Sequence, residues 1–144
     1  VYYNRMKTGR SWAVDYRDQT REPAYPFGFG LTYTRFEYGP VSIRGDHAAA
    51  TVANTGTRSG TETVQLYIRA LACSEGARPE QELRGFERLD LASGESREVR
   101  FALTDEVLGF IGRDGVRRVE CGSYLVWIAP HAGAGEPIAY QKTG

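Results

Sequence analysis

From Val41 onward, turn-forming residues interrupt the chain every ~8–12 residues, and apolar side chains alternate with polar ones between them. That spacing suits strands and leaves no room for a long amphipathic helix, whose apolar positions recur at three and four residues. Ala48 to Asn54 reads as a short strand, closed by Asn54-Thr55-Gly56 and Ser59-Gly60. Thr63 to Ala70 sets Val64, Leu66 and Ile68 against Gln65, Tyr67 and Arg69, the pattern of a half-buried strand. Leu83 to Leu91 is a weaker strand interrupted by Gly85. Ala92-Ser93-Gly94-Glu95 then turns the chain into Ser96 to Leu103, where Val99, Phe101 and Leu103 share a face. Thr104-Asp105-Glu106-Val107 predicts one helical turn. Asp114-Gly115, between Phe110-Ile111 and Val116 to Val119, is a hairpin signal. Ser123 to Ala129 is the last strand, with Tyr124, Val126 and Ile128 inward and Leu125 and Trp127 outward. Pro130 stops it, and residues 132–135 read as a loop before a short polar end.

About seven such strands predict an all-β fold, an antiparallel sandwich of immunoglobulin or fibronectin type III character. A small closed barrel is the alternative. A chain of 144 residues is one domain by length, large enough for a hydrophobic core.

Residues 1–38 differ in texture and predict an arm or linker leading into a sandwich over 39–144. The arm holds more than half of the aromatic residues, with no clean period before Tyr25. Within it, Phe27, Phe29, Leu31 and Tyr33 alternate with Gly28, Gly30, Thr32 and Thr34, which predicts an extended strand with one apolar face and one nearly flat face. After Arg35 the aromatic positions change phase to Phe36 and Tyr38, predicting a bulge, a bend or a change of packing partner. The chain opens on Val1 with no initiating Met and no signal-like start, so the expectation is that it begins inside a longer polypeptide. An aromatic arm without its neighbour exposes much apolar surface. Residues 1 to about 22 are therefore expected to be disordered or packed on a neighbouring chain.

Charge and chemistry exclude more than they assign. The 18 basic and 18 acidic side chains cancel, with no basic patch for nucleic acid and no like-charge run for a membrane surface. No stretch reaches the ~20 apolar residues of a membrane span. Cys73 and Cys121 lack metal or redox spacing and are expected as two unpaired thiols. His47 and His131 sit in turn sequence, without partners at triad or zinc spacing. Cys121 has no base or cationic neighbour to make it a nucleophile. Gly28-Phe29-Gly30 lacks the third glycine and the following helix of a dinucleotide fingerprint. Asn54-Thr55-Gly56 is no glycosylation acceptor. The carboxylate pairs Asp105/Glu106, Glu80/Glu82 and Glu95/Glu98 fall in turns or on polar strand faces and read as solvated charge, not as an acid/base couple across a sugar. Trp12 and Trp127 have faces that could stack on a sugar, although packing is the expected role of Trp127.

Taken together, the motifs resemble a known family. Tyr2-Tyr3-Asn4 with Thr8-Gly9-Arg10, the run Tyr25-Pro26-Phe27-Gly28-Phe29-Gly30-Leu31-Thr32-Tyr33-Thr34, and Asn54-Thr55-Gly56 followed by Gly60 and Val64-Gln65-Leu66-Tyr67 come in order. Glu82-Leu83-Arg84-Gly85-Phe86, Leu91-Ala92-Ser93-Gly94-Glu95-Ser96 and Gly122-Ser123-Tyr124 complete the series. It resembles the C-terminal fibronectin type III-like domain of glycoside hydrolase family 3, the family of β-glucosidases and β-xylosidases. Ser93 and Cys121 depart from it, standing where the family often has proline.

The resemblance implies a retaining β-glucosidase-like parent whose nucleophilic Asp and acid/base Glu lie in other domains. This chain would then carry no catalytic, cofactor-binding or metal-binding residue. Its role would be structural, a non-catalytic accessory domain clamping the upstream catalytic domains through Tyr3, Asn4, Arg10, Tyr25, Phe27 and Phe29. Neither nucleic acid nor membrane is an expected partner. The alternative is a carbohydrate-binding module that tethers the enzyme to polysaccharide. The family occurs in cytoplasm, in periplasm and outside the cell, so the resemblance assigns no compartment.

Overall fold

The structure, a computed structural model, describes residues 23–74 and 78–143. Its strands are β1 (Phe36–Tyr38), β2 (Ser42–Arg44), β3 (His47–Asn54), β4 (Gly60–Ala70), β5 (Glu82–Leu91), β6 (Ser96–Ala102), β7 (Phe110–Ile111), β8 (Arg117–Arg118), β9 (Gly122–Ala129) and β10 (Ile138–Lys142). One short helix, α1 (Asp105–Leu108), follows β6, and the Thr104 side chain caps it by accepting from the Val107 amide.

Two antiparallel sheets face each other. In the first, β3 pairs with β6 on one side and with β1 and β2 on the other. β1 and β2 take successive stretches of β3, Tyr38 opposite Val52 and Ser42 opposite Ala49, and Gly39 donates to the Thr51 carbonyl between them. They form one edge strand with an irregularity in the middle. The second sheet runs β10-β9-β4-β5. The facing sheets therefore hold seven strand positions among the described residues, and the hairpin β7–β8 stands apart.

The core lies between the sheets and follows the alternation in the sequence. Ala48, Ala50 and Val52 of β3 meet Val64, Leu66 and Ile68 of β4, Leu89 and Leu91 of β5, and Tyr124, Val126 and Ile128 of β9. Leu103 and Leu108 close one end, and Phe36, Tyr38 and Phe101 pack at the margins. The interruption expected at Gly85 is a bulge beside it. Leu66 pairs with Gly85 but Tyr67 pairs with Leu83, leaving Arg84 as the extra residue. The bulge aims Arg84 at the end of α1, where Nη2 donates to the Gly109 carbonyl at 2.7 Å and pairs with Glu82 Oε2 at 2.8 Å.

Three expectations need correction. Residues Phe27 to Tyr33 are not a strand. Phe29 donates to the Pro26 carbonyl at 3.1 Å across a turn with Gly28 at φ +82°, and regular pairing begins at Phe36, just past the phase change. The left-handed residue at the third position of the turn breaks the extended run that alternation alone implied. The polar C-terminus is a strand, since β10 pairs with β9 from Ile138 opposite Val126 to Lys142 opposite Gly122. His47, read as a turn residue, is the first residue of β3; it remains exposed, with Nδ1 2.6 Å from Asp46 Oδ1.

Candidate functional site

The arm meets the sandwich where two strand ends leave the second sheet incomplete. Pro130 has no amide hydrogen and ends β9 opposite Gln65, so Gly60 to Val64 of β4 pair with β5 alone. The turn at Pro26–Phe29 docks beside this gap. Gln65 Nε2 donates to the Gly28 carbonyl at 3.1 Å and to the Pro130 carbonyl at 2.6 Å, while Gln65 Oε1 accepts from the Tyr67 hydroxyl at 2.6 Å. The Ala132 amide donates to the Phe27 carbonyl at 2.9 Å. Every acceptor on the turn is a backbone carbonyl, so the clamp fixes the path of the chain through its main chain. Gly28 is required twice. Its φ is left-handed, and a Cβ would lie 2.1 Å from Gln65 Oε1.

A second anchor holds the arm before β1. Asn54, at 1 % exposure, spends its whole hydrogen-bonding capacity there. Its Nδ2 donates to the carbonyls of Arg58 at 2.7 Å and Leu91 at 3.1 Å, and its Oδ1 accepts from Thr34 Oγ1 at 2.7 Å and the Gly56 amide at 3.1 Å. The Thr55 amide donates to the Arg35 carbonyl at 2.8 Å. A Cβ on Gly56 would come within 2.2 Å of Thr34 Oγ1, so the glycine makes the notch that the threonine fills. The Asn-Thr-Gly motif is thus a hub joining the arm, the β3–β4 loop and the end of β5.

The chain presents Tyr25 just before the first anchor and Leu31 and Tyr33 between the two, at 73 %, 91 % and 96 % exposure, with Phe27 and Phe29 partly exposed beside them. The Phe29 ring lies 5.3 Å from that of Tyr25 and 5.8 Å from that of His131. Beneath this row runs an open groove of ≈ 610 Å³, walled by Phe27, Phe29, Leu31, Phe36 and Phe86 and floored by Tyr38 and Glu62.

Glu62 is 7 % exposed, and its Oε1 accepts from the Tyr38 hydroxyl at 2.7 Å, a bond that joins β1 of one sheet to β4 of the other. Burial pushes the Glu62 carboxyl above its ordinary range, against the opposing pull of the Tyr38 hydroxyl and of nearby His131. Burial and the Glu62 partner push the Tyr38 hydroxyl upward as well.

Of the predicted contact residues, Tyr25, Phe27 and Phe29 come together on the outer side of the clamp. Tyr3, Asn4 and Arg10 lie outside the described residues, as do Trp12 and the expectation for residues 1 to 22. Trp127 is buried with Tyr67 and Ala132 on the outer face of the second sheet, which removes it as a sugar platform. Four of the six carboxylates considered for acid/base work are held by cations instead. Glu82 pairs with Arg78 and Arg84, Glu95 with Arg97, Glu98 with Arg100, and Asp105 with Lys142. Among the described residues no group of three or more His, Cys, Asp or Glu side chains is placed to hold a metal ion.

Sequence reasoning missed Gln65, Tyr67, Asn54, Glu62 and Tyr38 as the anchoring set. Period-two alternation put Gln65 and Tyr67 on a solvent face, and nothing local marks their partners at Phe27, Gly28 and Pro130. The available signal was a large aromatic on the polar side of a strand.

The two-sheet arrangement defines a fibronectin type III-like domain, and the family model of that description matches residues 62–132. The chain belongs to these domains in the form carried by glycoside hydrolase family 3 β-glucosidases and β-xylosidases. It is 33 % identical to a periplasmic β-glucosidase of Salmonella typhimurium, over 89 % of this chain and 19 % of that protein. It is 45 % identical to a xylan 1,4-β-xylosidase of Xylanibacter ruminicola, over 71 % of this chain and 12 % of the relative. Among solved structures it superposes on a β-glucosidase of Erythrobacter marinus with a TM-score of 0.90 at 34 % identity, covering 99 % of this chain and 20 % of that one. The chain spans less than a fifth of the length of these curated relatives.

Proposed function

We propose that the chain is a non-catalytic accessory domain of a family 3 glycoside hydrolase, with a β-glucosidase-like parent that hydrolyses terminal β-linked sugars. In such a parent one carboxylate attacks the anomeric carbon and a second carboxyl group protonates the leaving oxygen, both from the catalytic body. The domain's part is to buttress that body.

The observation that carries this reading is the pairing of a fixed backbone with outward side chains. Gln65 and Asn54 hold the arm at Gly28 and Thr34; Phe29, Leu31 and Tyr33 between them, and Tyr25 just before, face outward. Apolar side chains on a pinned path form a preorganised contact surface, since little entropy remains to be lost on docking. Tyr25, Phe27 and Phe29 are the contact residues in this reading, with Tyr3, Asn4 and Arg10 contributing from the segment before them.

Replacing Tyr25, Phe29, Leu31 and Tyr33 together by Ser in the parent tests it. The expected result is a Tm lower by several degrees, while the isolated chain turns over no aryl β-glucoside. An unchanged Tm in the parent, or turnover by the clean isolated chain, refutes it. Titrating the chain with cello- and xylo-oligosaccharides separates this role from polysaccharide tethering: saturable binding at millimolar ligand would favour the tether.

A further inference from the structure

We infer that Cys73 and Cys121 form a dithiol site that a disulfide-class oxidant closes into a cross-strand disulfide. The inference stands on the register of β4 and β9 and is independent of the parent's chemistry. These strands pair one for one from Gln65 opposite Ala129 to Ala70 opposite Tyr124. The pairing does not stop where regular strand ends, because the Leu71 amide donates to the Ser123 carbonyl at 3.0 Å. Carried two steps further, the same register sets Cys73 opposite Cys121 by extrapolation from the ladder.

The step after that is also in place. Ser74 faces Glu120, with its amide 3.2 Å from both carboxylate oxygens and its hydroxyl bonded to Oε1. The Cys73 thiol shares the same carboxylate as a hydrogen-bond acceptor. The Leu71–Ser123 bond on one side and the Ser74–Glu120 side-chain contact on the other keep the two cysteine-bearing segments together.

Residues directly opposite across an antiparallel ladder have Cα atoms ~4.5–5.5 Å apart, inside the ~4.4–6.8 Å range that a disulfide spans. Both cysteines are unpaired in this structure, with Cys121 exposed and Cys73 half-buried. This exposure sets the order of events. The exposed Cys121 meets the oxidant first, and Cys73 resolves the mixed disulfide. With glutathione disulfide, the Cys121 thiolate attacks one sulfur, a Cys121–glutathione bond forms and one glutathione thiolate leaves. The Cys73 thiolate then attacks the Cys121 sulfur and the second glutathione leaves. The two protons from the cysteines go to the departing glutathione thiolates; two thiols are oxidised and one disulfide is reduced.

Closing the bond ties β4 to β9 beyond their last regular pair and closes a covalent loop from Cys73 to Cys121 that holds β5, β6, α1, β7 and β8. The site is open in a reducing compartment and closed in an oxidising one.

Incubating the reduced full chain in glutathione/glutathione disulfide mixtures tests the inference, with intact mass, alkylation of residual thiols and peptide mapping as readouts. The expected product is a monomer lighter by two hydrogens, with both thiols protected and a peptide joining Cys73 to Cys121. Its Tm is expected to be higher by ~5 °C or more. The oxidation constant should exceed that of the urea-unfolded chain by ~30-fold or more, the ratio that a stabilising cross-link requires. Cys73→Ser and Cys121→Ser, checked for folding by circular dichroism, should end as glutathione adducts or intermolecular dimers. Stable glutathione adducts on the wild-type chain, two alkylatable thiols after oxidation, or equal constants for folded and unfolded chain would each overturn the inference.

Discussion

Gln65 and Gly28 are 37 residues apart in sequence and joined by a 3.1 Å hydrogen bond from the Gln65 amide to the Gly28 carbonyl. The same amide nitrogen reaches Pro130 at 2.6 Å, so one side chain ties together the arm, the central strand of the second sheet and the loop after β9. The bond decides which face of the arm is available to a partner. With the backbone directed at Gln65, the aromatic side chains are left facing outward.

Gly28→Ala should release the turn without unfolding the sandwich. An L-residue at φ +82° costs about 1–2 kcal/mol, and the added Cβ meets a glutamine already held by three hydrogen bonds. Amide exchange at Phe29 and Ala132, whose acceptors are Pro26 and Phe27, should accelerate by about tenfold or more, while amides in β4 and β9 stay protected. Unchanged exchange at Ala132 would show that the clamp does not depend on this glycine.

Asn54→Ala should be the most damaging single polar substitution in the described part of the chain. It deletes four hydrogen bonds in a buried site and leaves the Leu91 carbonyl and the Thr34 hydroxyl without their partner. The expected cost is about 2–4 kcal/mol by urea unfolding. Thr34→Val, which removes one bond of the same hub, should cost about 1 kcal/mol and be non-additive with it.

Glu62→Gln should change the pH dependence of stability in a defined direction. The folded protein raises the Glu62 carboxyl above its ordinary 4.5, so the neutral form is favoured on folding. Its contribution is complete below about pH 4.5 and is lost as the pH rises through the folded-state value. The glutamine keeps an acceptor for Tyr38 and cannot ionise. Relative to wild type, the variant should gain stability as the pH is raised from acid to neutral and show no such gain in acid. A difference independent of pH would mean that Glu62 titrates normally.

Leu31→Ser and Tyr33→Ser should leave the stability of the isolated chain within about 0.5 kcal/mol, since both side chains stand almost fully in solvent. Binding of an apolar dye such as ANS to the same variants should fall. A loss of 2 kcal/mol or more in the isolated chain would place these residues in the domain's own packing instead.

Much of the architecture was readable in the sequence because strands with one buried face leave a local mark. Val64, Leu66 and Ile68, and again Tyr124, Val126 and Ile128, alternate with polar neighbours and all enter the core. Asp114-Gly115 turns β7 into β8 as its type predicts, with the Val116 amide and Arg118 both bonded to the Asp114 carboxylate, which they hold down at about 2. Where a second layer covers a face, alternation misleads. Gln65 reads as solvated and Tyr67 as outward, yet the Phe27–Gly28 turn and the Trp127 cluster bury them. β10 was missed for a related reason: an edge strand, half in solvent, carries weak apolar patterning.

The sequence by itself determined the core strands β3, β4, β5, β6 and β9 in their order, the hairpin at Asp114-Gly115 and the family, because each follows from residues close together in the chain. Only the tertiary structure decided what the aromatic run does. Phe27, Phe29, Leu31 and Tyr33 alternate as a strand would, but Gln65 and Tyr67 bind the backbone carbonyls of a turn there, and Asn54 seizes Thr34 at its far end. Those partners lie 20 to 40 residues away. A local pattern records which side of a segment is apolar; whether that side faces a core, a groove or a partner depends on which distant hydrogen-bonding groups reach its backbone.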